Sequence, residues 1–385
     1  MAKMRIALIT IYEIENGAGV AQYIHRTAKG LREFGHDVKI INGDGVLPLR
    51  KMHAARLTVE RKMNKPIRFP SIRILILKYR MWILKERVRR AGPFDILHTQ
   101  DIFATKAVLG LSKKWKIPLI TSFHGYTISH TLADGRATEG DQYHRFLSQL
   151  EREAFYGANA VICIDKSRVD YIKALGLDNA VLVPGGTDTE LFKPCDEKGD
   201  YLLFVGNLLP EKGVKESLLA FSEIARDFPD LRFVIIGDGF LRTELEAMVS
   251  ELGISGRVDF LGYVPNEQLP AYYARARLYL LPTIPTMGIK DGPAYTAQEA
   301  MACETPVIVS DVGGLSELVQ DGENGLVVPP GDVGAIVKAM RRVLTDKAFA
   351  LTLGKRARET ILSRYDRRKL TKELERIYEE FLCRE

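Results

Sequence analysis

The sequence predicts an α/β protein made of two Rossmann-like domains that face a common cleft. Apolar runs such as VICI and PVIVS are typical of parallel strands covered by helices on both faces. The order strand, glycine-bearing loop, amphipathic helix, strand occurs near the start of the chain and again after residue 200. A chain of 385 residues is also too long for one typical core and suits two domains.

The first domain opens with the predicted strand RIALITIY and the loop ENGAGV. The apolar residues Val20, Ile24, Ala28 and Leu31 then recur at helical spacing, and Gly35 is a suitable helix end. HDVKIING is the next predicted strand, which completes one βαβ unit.

The second domain repeats this order with the strand YLLFVGN, the loop LLPEKG, a helix and the strand LRFVIIGDG. The segment Val183–Asp200 between the two halves is rich in glycine, proline and charge, and is predicted to be a linker. We therefore expect domains at 1–195 and 196–365. The final helix, within 366–385, has an apolar face that can pack on the second domain or cross back to the first.

Cysteine use and hydropathy narrow the class of protein. Cys163, Cys195, Cys303 and Cys383 are far apart and form no CxxC pair, so we expect reduced thiols and no metal site. The apolar run Ile6–Ile11 is too short for a signal peptide, and no run has transmembrane length. These features predict a cytoplasmic protein.

The net charge of +6 is unevenly distributed. Residues 1–195 carry 31 Lys and Arg against 19 Asp and Glu, whereas residues 196–385 carry 24 against 30. Eleven of the basic residues lie within Arg61–Arg90, which has one acid, Glu86. Either this is a solvated helix face or the first half meets an anionic partner.

Two glycine pairs resemble part of a dinucleotide-binding loop. Gly17 and Gly19 follow the first strand, and Gly237 and Gly239 follow a strand of the second half. Neither pair has the third glycine of GxGxxG, which disfavours a nicotinamide dehydrogenase. Glycine loops at strand ends still allow backbone amides to approach a phosphate.

Asp291 and Glu299 lie eight positions apart across a predicted helix start at Gly292 and Pro293. Along a helix that spacing is about 12 Å, beyond the roughly 5–9.5 Å of glycosidase carboxyl pairs. The two acids suit the ends of an elongated ligand whose anionic centre meets the helix N-terminus, as in a sugar nucleotide. The alternatives are a plain N-cap for Asp291 and a solvent-facing residue for Glu299.

A longer pattern surrounds these acids. KDGPAYTAQEAMACETPVIVSDVGGLSELVQDGENGLVVPPGD resembles the signature of family 4 of the retaining glycosyltransferases, which have the GT-B fold. GAGVAQYIHRTAKGLREFGHDV, FDILHTQD, TSFHG, VPGGTDTELFKP and FVGNLLPEKGVKESLLAF resemble further segments of that family in the same order. The resemblance covers nearly the whole chain.

The resemblance implies roles for individual residues. It implies that Glu299 binds the nucleotide ribose, Asp291 lies near the donor sugar, Lys212 contacts the diphosphate, and His124 lies beside the reacting sugar. The implied catalytic residues are His124, Asp291 and Lys212. The implied donor-binding residues are Gly17, Gly19, Asn207, Lys212, Gly292, Ala294, Tyr295 and Glu299.

The resemblance further implies retaining, metal-independent transfer of a hexosyl-type sugar from a nucleotide diphosphate sugar, with no cofactor. UDP is the first choice of nucleotide and GDP the second. Two residues depart from the family: Asn207 stands where Arg is usual, and Asp291 where Glu is usual. These departures keep open a non-catalytic sugar-nucleotide binder. A nucleotide-sugar epimerase, which would share the fold and the nucleotide site, is the other alternative.

The stretch RKMNKPIRF, residues 61–69, precedes a predicted helix from Ile72 to Val88 whose apolar residues suffice to pack on the sheet. Arg61, Lys62, Lys65 and Arg68 surround apolar residues in that stretch and suit an anionic membrane surface. We therefore expect a peripheral membrane enzyme with a lipid or lipid-linked acceptor and no nucleic-acid partner. A soluble acceptor is the alternative.

Overall fold

A computed structural model describes the chain over residues 3–14, 19–43, 70–285 and 295–383. The chain forms two compact units, Met1–Pro184 together with Leu370–Glu385, and Gly185–Lys369. Each unit is an α/β structure with one parallel sheet, as the apolar runs predicted.

The first unit contains a parallel sheet in the order β2-β1-β3-β4-β5-β6. Its strands are β1 (Arg5–Thr10), β2 (Asp37–Asn42), β3 (Ile96–Thr99), β4 (Leu119–Phe123), β5 (Ala160–Cys163) and β6 (Ala180–Leu182). Its helices include α1 (Gly19–Glu33), α2 (Pro70–Ala91), α3 (Ile102–Trp115), α4 (Thr127–Ala133), α5 (Gln142–Gly157) and α6 (Lys166–Ala174).

Strand β1 shows how both faces of this sheet are covered. Ile6 and Leu8 are buried in one core, which includes Ile24 and Leu31 of α1. The intervening Ile9 is buried in a second core, formed with helices α2, α3 and α5. Alternate residues of a strand point to opposite faces, so a continuous apolar run can fill two cores at once.

The second unit contains a parallel sheet in the order β12-β11-β10-β7-β8-β9. Its strands are β7 (Tyr201–Val205), β8 (Arg232–Ile236), β9 (Val258–Gly262), β10 (Leu278–Leu281), β11 (Val307–Ser310) and β12 (Leu326–Val328). Its helices include α7 (Val214–Ile224), α8 (Arg242–Glu251), α9 (Leu269–Arg275), α10 (Tyr295–Ala302), α11 (Leu315–Leu318), α12 (Val333–Thr345) and α13 (Lys347–Thr360).

The last helix, α14 (Arg367–Leu382), returns to the first unit. Leu374, Ile377 and Tyr378 are buried in the same core as Ile6 and Leu8 of β1. Of the two arrangements open from the sequence, the crossing back to the first domain is therefore the one observed.

The boundary between the units lies between Pro184 and Gly185. This is earlier in the chain than residue 195, which the sequence predicted as the end of the first domain. Phe192 is fully buried in the core of the second unit. The amide of Thr187 donates to the carbonyl of Tyr365 over 2.8 Å. The segment after Gly185 therefore belongs to the second unit because its side chains and backbone are satisfied there.

Candidate active site

The loop after β7 carries two of the residues implicated by the sequence. Asn207 is exposed, and Lys212 ends a short 3₁₀ turn, Pro210–Lys212. Gly213 follows with φ +69°, and a Cβ there would lie 1.9 Å from the carbonyl oxygen of Pro282. Glycine is required at 213 on both counts, and it allows the Lys212 turn to lie directly against the chain after β10.

A backbone hydrogen bond also joins these two segments. The amide of Ile284 donates to the carbonyl of Glu211 over 2.8 Å. The strands that precede them, β7 and β10, are parallel neighbours, with Leu203 opposite Tyr279. Both segments therefore leave the same edge of the sheet, the edge at which ligands bind in open α/β folds.

Gly237 and Gly239 allow the chain after β8 to approach the loop after β7 closely. A Cβ on Gly237, which has φ +127°, would lie 1.9 Å from the carbonyl oxygen of Gly206. A Cβ on Gly239 would lie 2.5 Å from that of Leu208. These glycines let the chain after β8 pack against the Asn207 loop, which accounts for them without a dinucleotide.

Glu299 lies on α10 and is 3% exposed. Burial raises the pKa of Tyr273 and Tyr279, and the negative charge of Glu299 contributes to both shifts. Burial, followed by the Glu299 charge, raises the pKa of the Cys303 thiol to about 12. The Glu299 side chain is therefore buried close to the phenols of Tyr273 and Tyr279 and to the Cys303 thiol.

The chain from Gly185 to Thr187 packs on α10 beside Glu299. Thr187 Oγ1 donates to Gln298 Oε1 over 2.9 Å, and both side chains are buried. A Cβ on Gly185 would lie 1.9 Å from the hydroxyl oxygen of Tyr295. These contacts position the helix that carries Tyr295 and Glu299, and no spacing pattern in the sequence indicated Thr187 or Gln298.

His124 follows β4 in the first unit. Its Nε2 lies 3.0 Å from Gln100 Oε1, and its ring packs edge-on against Tyr23 with centroids 4.5 Å apart. Burial, followed by the nearby Arg168 charge, lowers the pKa of His124 to about 3. The imidazole is therefore neutral near pH 7 and acts as a hydrogen-bonding group rather than a cation.

Arg168 fixes the backbone at His124. Its Nη2 donates to the carbonyl oxygen of His124 over 2.8 Å. The guanidinium is buried, pairs with Asp165 and lies over the ring of Tyr126 at 5.1 Å from the centroid. Sequence reasoning missed Arg168, since it is 44 positions from His124 and no motif joins them.

Gly19 is the first residue of α1, after β1. A Cβ at this position would meet no atom within 4 Å. At the end of β1, Asp101 Oδ2 accepts from the amide of Ile11 and from Thr10 Oγ1, each over 2.8 Å. The end of β1 is therefore held by Asp101, and Gly19 is not required for packing.

The structure brings Asn207 and Lys212 onto one loop and places Tyr295 and Glu299 on one helix of the same unit. Gly17, Asp291, Gly292 and Ala294 lie outside the described residues, as do Arg61, Lys62, Lys65 and Arg68. Within the described ranges, no group of three or more His, Cys, Asp or Glu side chains could hold a metal ion.

Comparison with known protein families identifies the chain. Residues 17–191 match the model described as Glycosyltransferase Family 4. Residues 187–360 match the model described as Glycosyl transferases group 1. The chain belongs to glycosyltransferase family 4. Two models that follow one another along the chain account for both units of this glycosyltransferase.

Full-length relatives agree with this assignment. An uncharacterized glycosyltransferase of Methanocaldococcus jannaschii is 26% identical, covering 97% of this chain and 98% of that protein. Sucrose-phosphate synthase from Thermosynechococcus elongatus superposes with TM-score 0.78 at 22% identity over all of both chains. Anabaena HepE in complex with UDP gives TM-score 0.73 at 18% identity, covering 98% and 100%. The glycosyltransferase therefore has the GT-B fold.

Proposed function

We propose that this glycosyltransferase moves a hexosyl-type sugar from a nucleotide diphosphate sugar to an acceptor hydroxyl with retention of configuration. The observation that carries the proposal is the hydrogen bond from Ile284 to Glu211. It holds the Lys212 turn beside the segment that continues in sequence toward Glu299. A cation and a buried carboxylate in the same unit suit a ligand that combines a diphosphate with a ribose.

In this proposal the second unit is the donor domain. Glu299 accepts hydrogen bonds from ribose hydroxyls, and Lys212 and the Asn207 amide contact the diphosphate. Asp291 contacts the donor sugar. Tyr295, the first residue of helix α10, and the preceding Gly292 and Ala294 contact the anion through their backbone amides.

The first unit is the proposed acceptor domain, and its loop at Gly17 and Gly19 approaches the donor phosphates. The bond from the anomeric carbon to the phosphate oxygen breaks, and the acceptor oxygen bonds to that carbon on the same face. The acceptor proton passes to the leaving phosphate oxygen. Lys212 stabilises the charge that develops on the diphosphate without a metal ion, and neutral His124 hydrogen-bonds to the sugar.

Donor identity is proposed from the nucleotide bound by a protein of the same fold. HepE was solved with UDP, which favours a UDP-sugar, with a GDP-sugar as the second candidate. We further propose a cytoplasmic, peripheral membrane location with a lipid or lipid-linked acceptor. The cluster of Arg61, Lys62, Lys65 and Arg68 motivates that location. No helix in the described ranges is long and apolar enough to cross a bilayer.

The proposal is tested by thermal shift with a panel of nucleoside diphosphates and nucleotide sugars, followed by a release assay with the best ligand. We expect stabilisation by one nucleoside diphosphate and acceptor-dependent release of it. Lys212→Ala should weaken binding, whereas Lys215→Ala should not, because Lys215 is engaged by Glu244 on the exposed surface. If none of the nucleotides stabilises the protein, the proposal is refuted. If an epimer of the nucleotide sugar forms without an acceptor, the epimerase is favoured instead.

A further inference from the structure

Helix α2 (Pro70–Ala91) carries apolar residues on two opposite sides. Met81, Leu84 and Val88 are buried in the core of the first unit. A second set of large apolar residues faces solvent. Their exposed fractions are 51% for Ile72, 68% for Leu75, 47% for Tyr79 and 57% for Trp82.

The second set forms one continuous stripe, which we call the α2 stripe: Ile72, Leu75, Tyr79 and Trp82. The spacings of three, four and three residues place these side chains along one side of the helix over about 15 Å. The rings of Tyr79 and Trp82 stack, with centroids 6.0 Å apart and an interplanar angle of 18°. Single exposed apolar residues are ordinary, but a contiguous apolar surface marks an interaction site.

Three arginines attach the inner side of the helix to the rest of its unit. Arg80 Nη2 donates to the carbonyl of Ile11 over 2.6 Å, and Arg87 Nη1 donates to that of Asn42 over 2.8 Å. Arg73 is buried and lies over the ring of Tyr143. The inward arginines thus bind the helix to its own unit and leave the α2 stripe on the outer side.

Cations border the α2 stripe. Lys78 is exposed one position before Tyr79, and Lys85 lies one helical turn after Trp82. Arg89 and Arg90 are exposed at the end of the helix, where Glu86 pairs with Arg89 over 2.7 Å. An apolar stripe with aromatic rings and a basic border has the composition of helices that lie in the interface of an anionic bilayer.

We propose that the α2 stripe inserts into the headgroup region of an anionic membrane, with the helix lying in the membrane plane. A polysaccharide is a poorer fit, because Ile72 and Leu75 offer no hydrogen bonds to hydroxyl groups. A second copy of the chain would bring like charges together. The proposal assigns a described surface to the peripheral location proposed above, and its test measures membrane binding alone, so it can fail while glycosyl transfer stands.

The test uses the fluorescence of Trp82. The chain has two tryptophans, so in the full-length Trp115→Phe variant Trp82 is the sole emitter. With vesicles of equal parts phosphatidylcholine and phosphatidylglycerol we expect a blue shift and protection from acrylamide. Both changes should be absent with phosphatidylcholine alone and should weaken with salt.

Variants separate the α2 stripe from other exposed apolar residues. Leu75→Ser and Trp82→Ser should each reduce co-sedimentation of the otherwise unchanged protein with anionic vesicles by about tenfold or more. Phe240→Ser is the matched control, since Phe240 is 72% exposed in the second unit, and should bind like the parent protein.

Four outcomes would overturn the proposal. One is equal vesicle binding by Leu75→Ser and the parent chain. Another is binding to vesicles without a blue shift of Trp82 emission. That result would assign binding to the cluster of Arg61, Lys62, Lys65 and Arg68 instead. A third is a concentration-dependent dimer that Trp82→Ser abolishes, without vesicle binding. The fourth is a blue shift caused by soluble oligosaccharide and not by vesicles.

Discussion

The hydroxyl of Tyr378 lies 2.6 Å from Nδ1 of His98, although the two residues are 280 positions apart. The other ring nitrogen, His98 Nε2, lies 2.8 Å from Ser122 Oγ. That Oγ is 3.5 Å from the hydroxyl of Tyr23, whose ring packs on His124. The last helix is therefore joined by a buried polar chain to the surroundings of the candidate catalytic histidine.

Tyr378→Phe should destabilise the first unit. The substitution leaves one nitrogen of the buried His98 ring without its partner, which costs about 1–3 kcal/mol. Denaturant unfolding followed in the first unit measures the change. The control is Tyr156→Phe, because Tyr156 donates to the Leu175 carbonyl at an exposed position and should lose well under half as much. If the two variants lose the same free energy of unfolding, burial does not increase the contribution of the Tyr378 contact to stability.

His98 and His124 should both stay neutral in acid. Burial lowers the pKa of His98 to about 3, and burial followed by the Arg168 charge lowers that of His124 to about 3. Proton NMR of the imidazoles should therefore show no titration of either ring between pH 8 and pH 4, with assignments from His98→Asn and His124→Ala. A midpoint near pH 6.5 for His98 would contradict its buried environment.

The same shift has a consequence for stability. The folded pKa of His98 lies below its unfolded value of about 6.5, so the unfolded chain takes up the proton first. The contribution of His98 is complete above pH 6.5 and is lost as the pH falls toward 3. At pH 5 the loss from His98 should be about 2 kcal/mol, measured as unfolding free energy against pH 7.

Glu299→Gln should lower the affinity for the best nucleoside diphosphate by about tenfold or more. Charge-assisted hydrogen bonds contribute about 1.5–3 kcal/mol, and the 3% exposure of Glu299 limits compensation by water. Calorimetry gives the affinity. Glu359→Gln, at an exposed carboxylate of the same unit, is the control. Unchanged affinity in a folded Glu299→Gln protein would remove Glu299 from the site.

His124→Ala should reduce kcat far more than nucleotide affinity, because the proposed contact forms with the sugar in the transition state. Steady-state kinetics and calorimetry on the same preparation separate the two effects. Lys212→Ala should reduce both, because the diphosphate is charged before and after transfer. If His124→Ala turns over like the parent enzyme, the role assigned to His124 is wrong.

Gly19→Ala should leave the fold intact and weaken donor binding. The added Cβ meets no atom within 4 Å, and alanine is the better helix former, so thermal stability should be unchanged or slightly higher. Affinity for the nucleotide sugar should fall if a phosphate approaches this amide closely. Full donor affinity at unchanged stability would place the phosphates elsewhere.

Much of this organisation is determined by local sequence. Continuous apolar strands predicted two parallel sheets, because strands covered on both faces need apolar side chains on both. Helix α1 and its end before Gly35 followed from apolar spacing and from the positive φ that glycine tolerates. The family pattern singled out Lys212 and Glu299, both of which lie in the second unit beside other residues of that pattern.

Only the tertiary structure decided which surfaces meet. The apolar face of α14 was compatible with either unit, and burial of Tyr378 against His98 assigns it to the first. Helix α2 is apolar on two sides, so spacing alone could not tell the buried Leu84 from the exposed Trp82. Phe192 lies within the segment that the sequence predicted to be a linker, but its side chain is buried in the core of the second unit. In each case the free energy of burial depends on a partner far away in sequence, which local spacing does not specify.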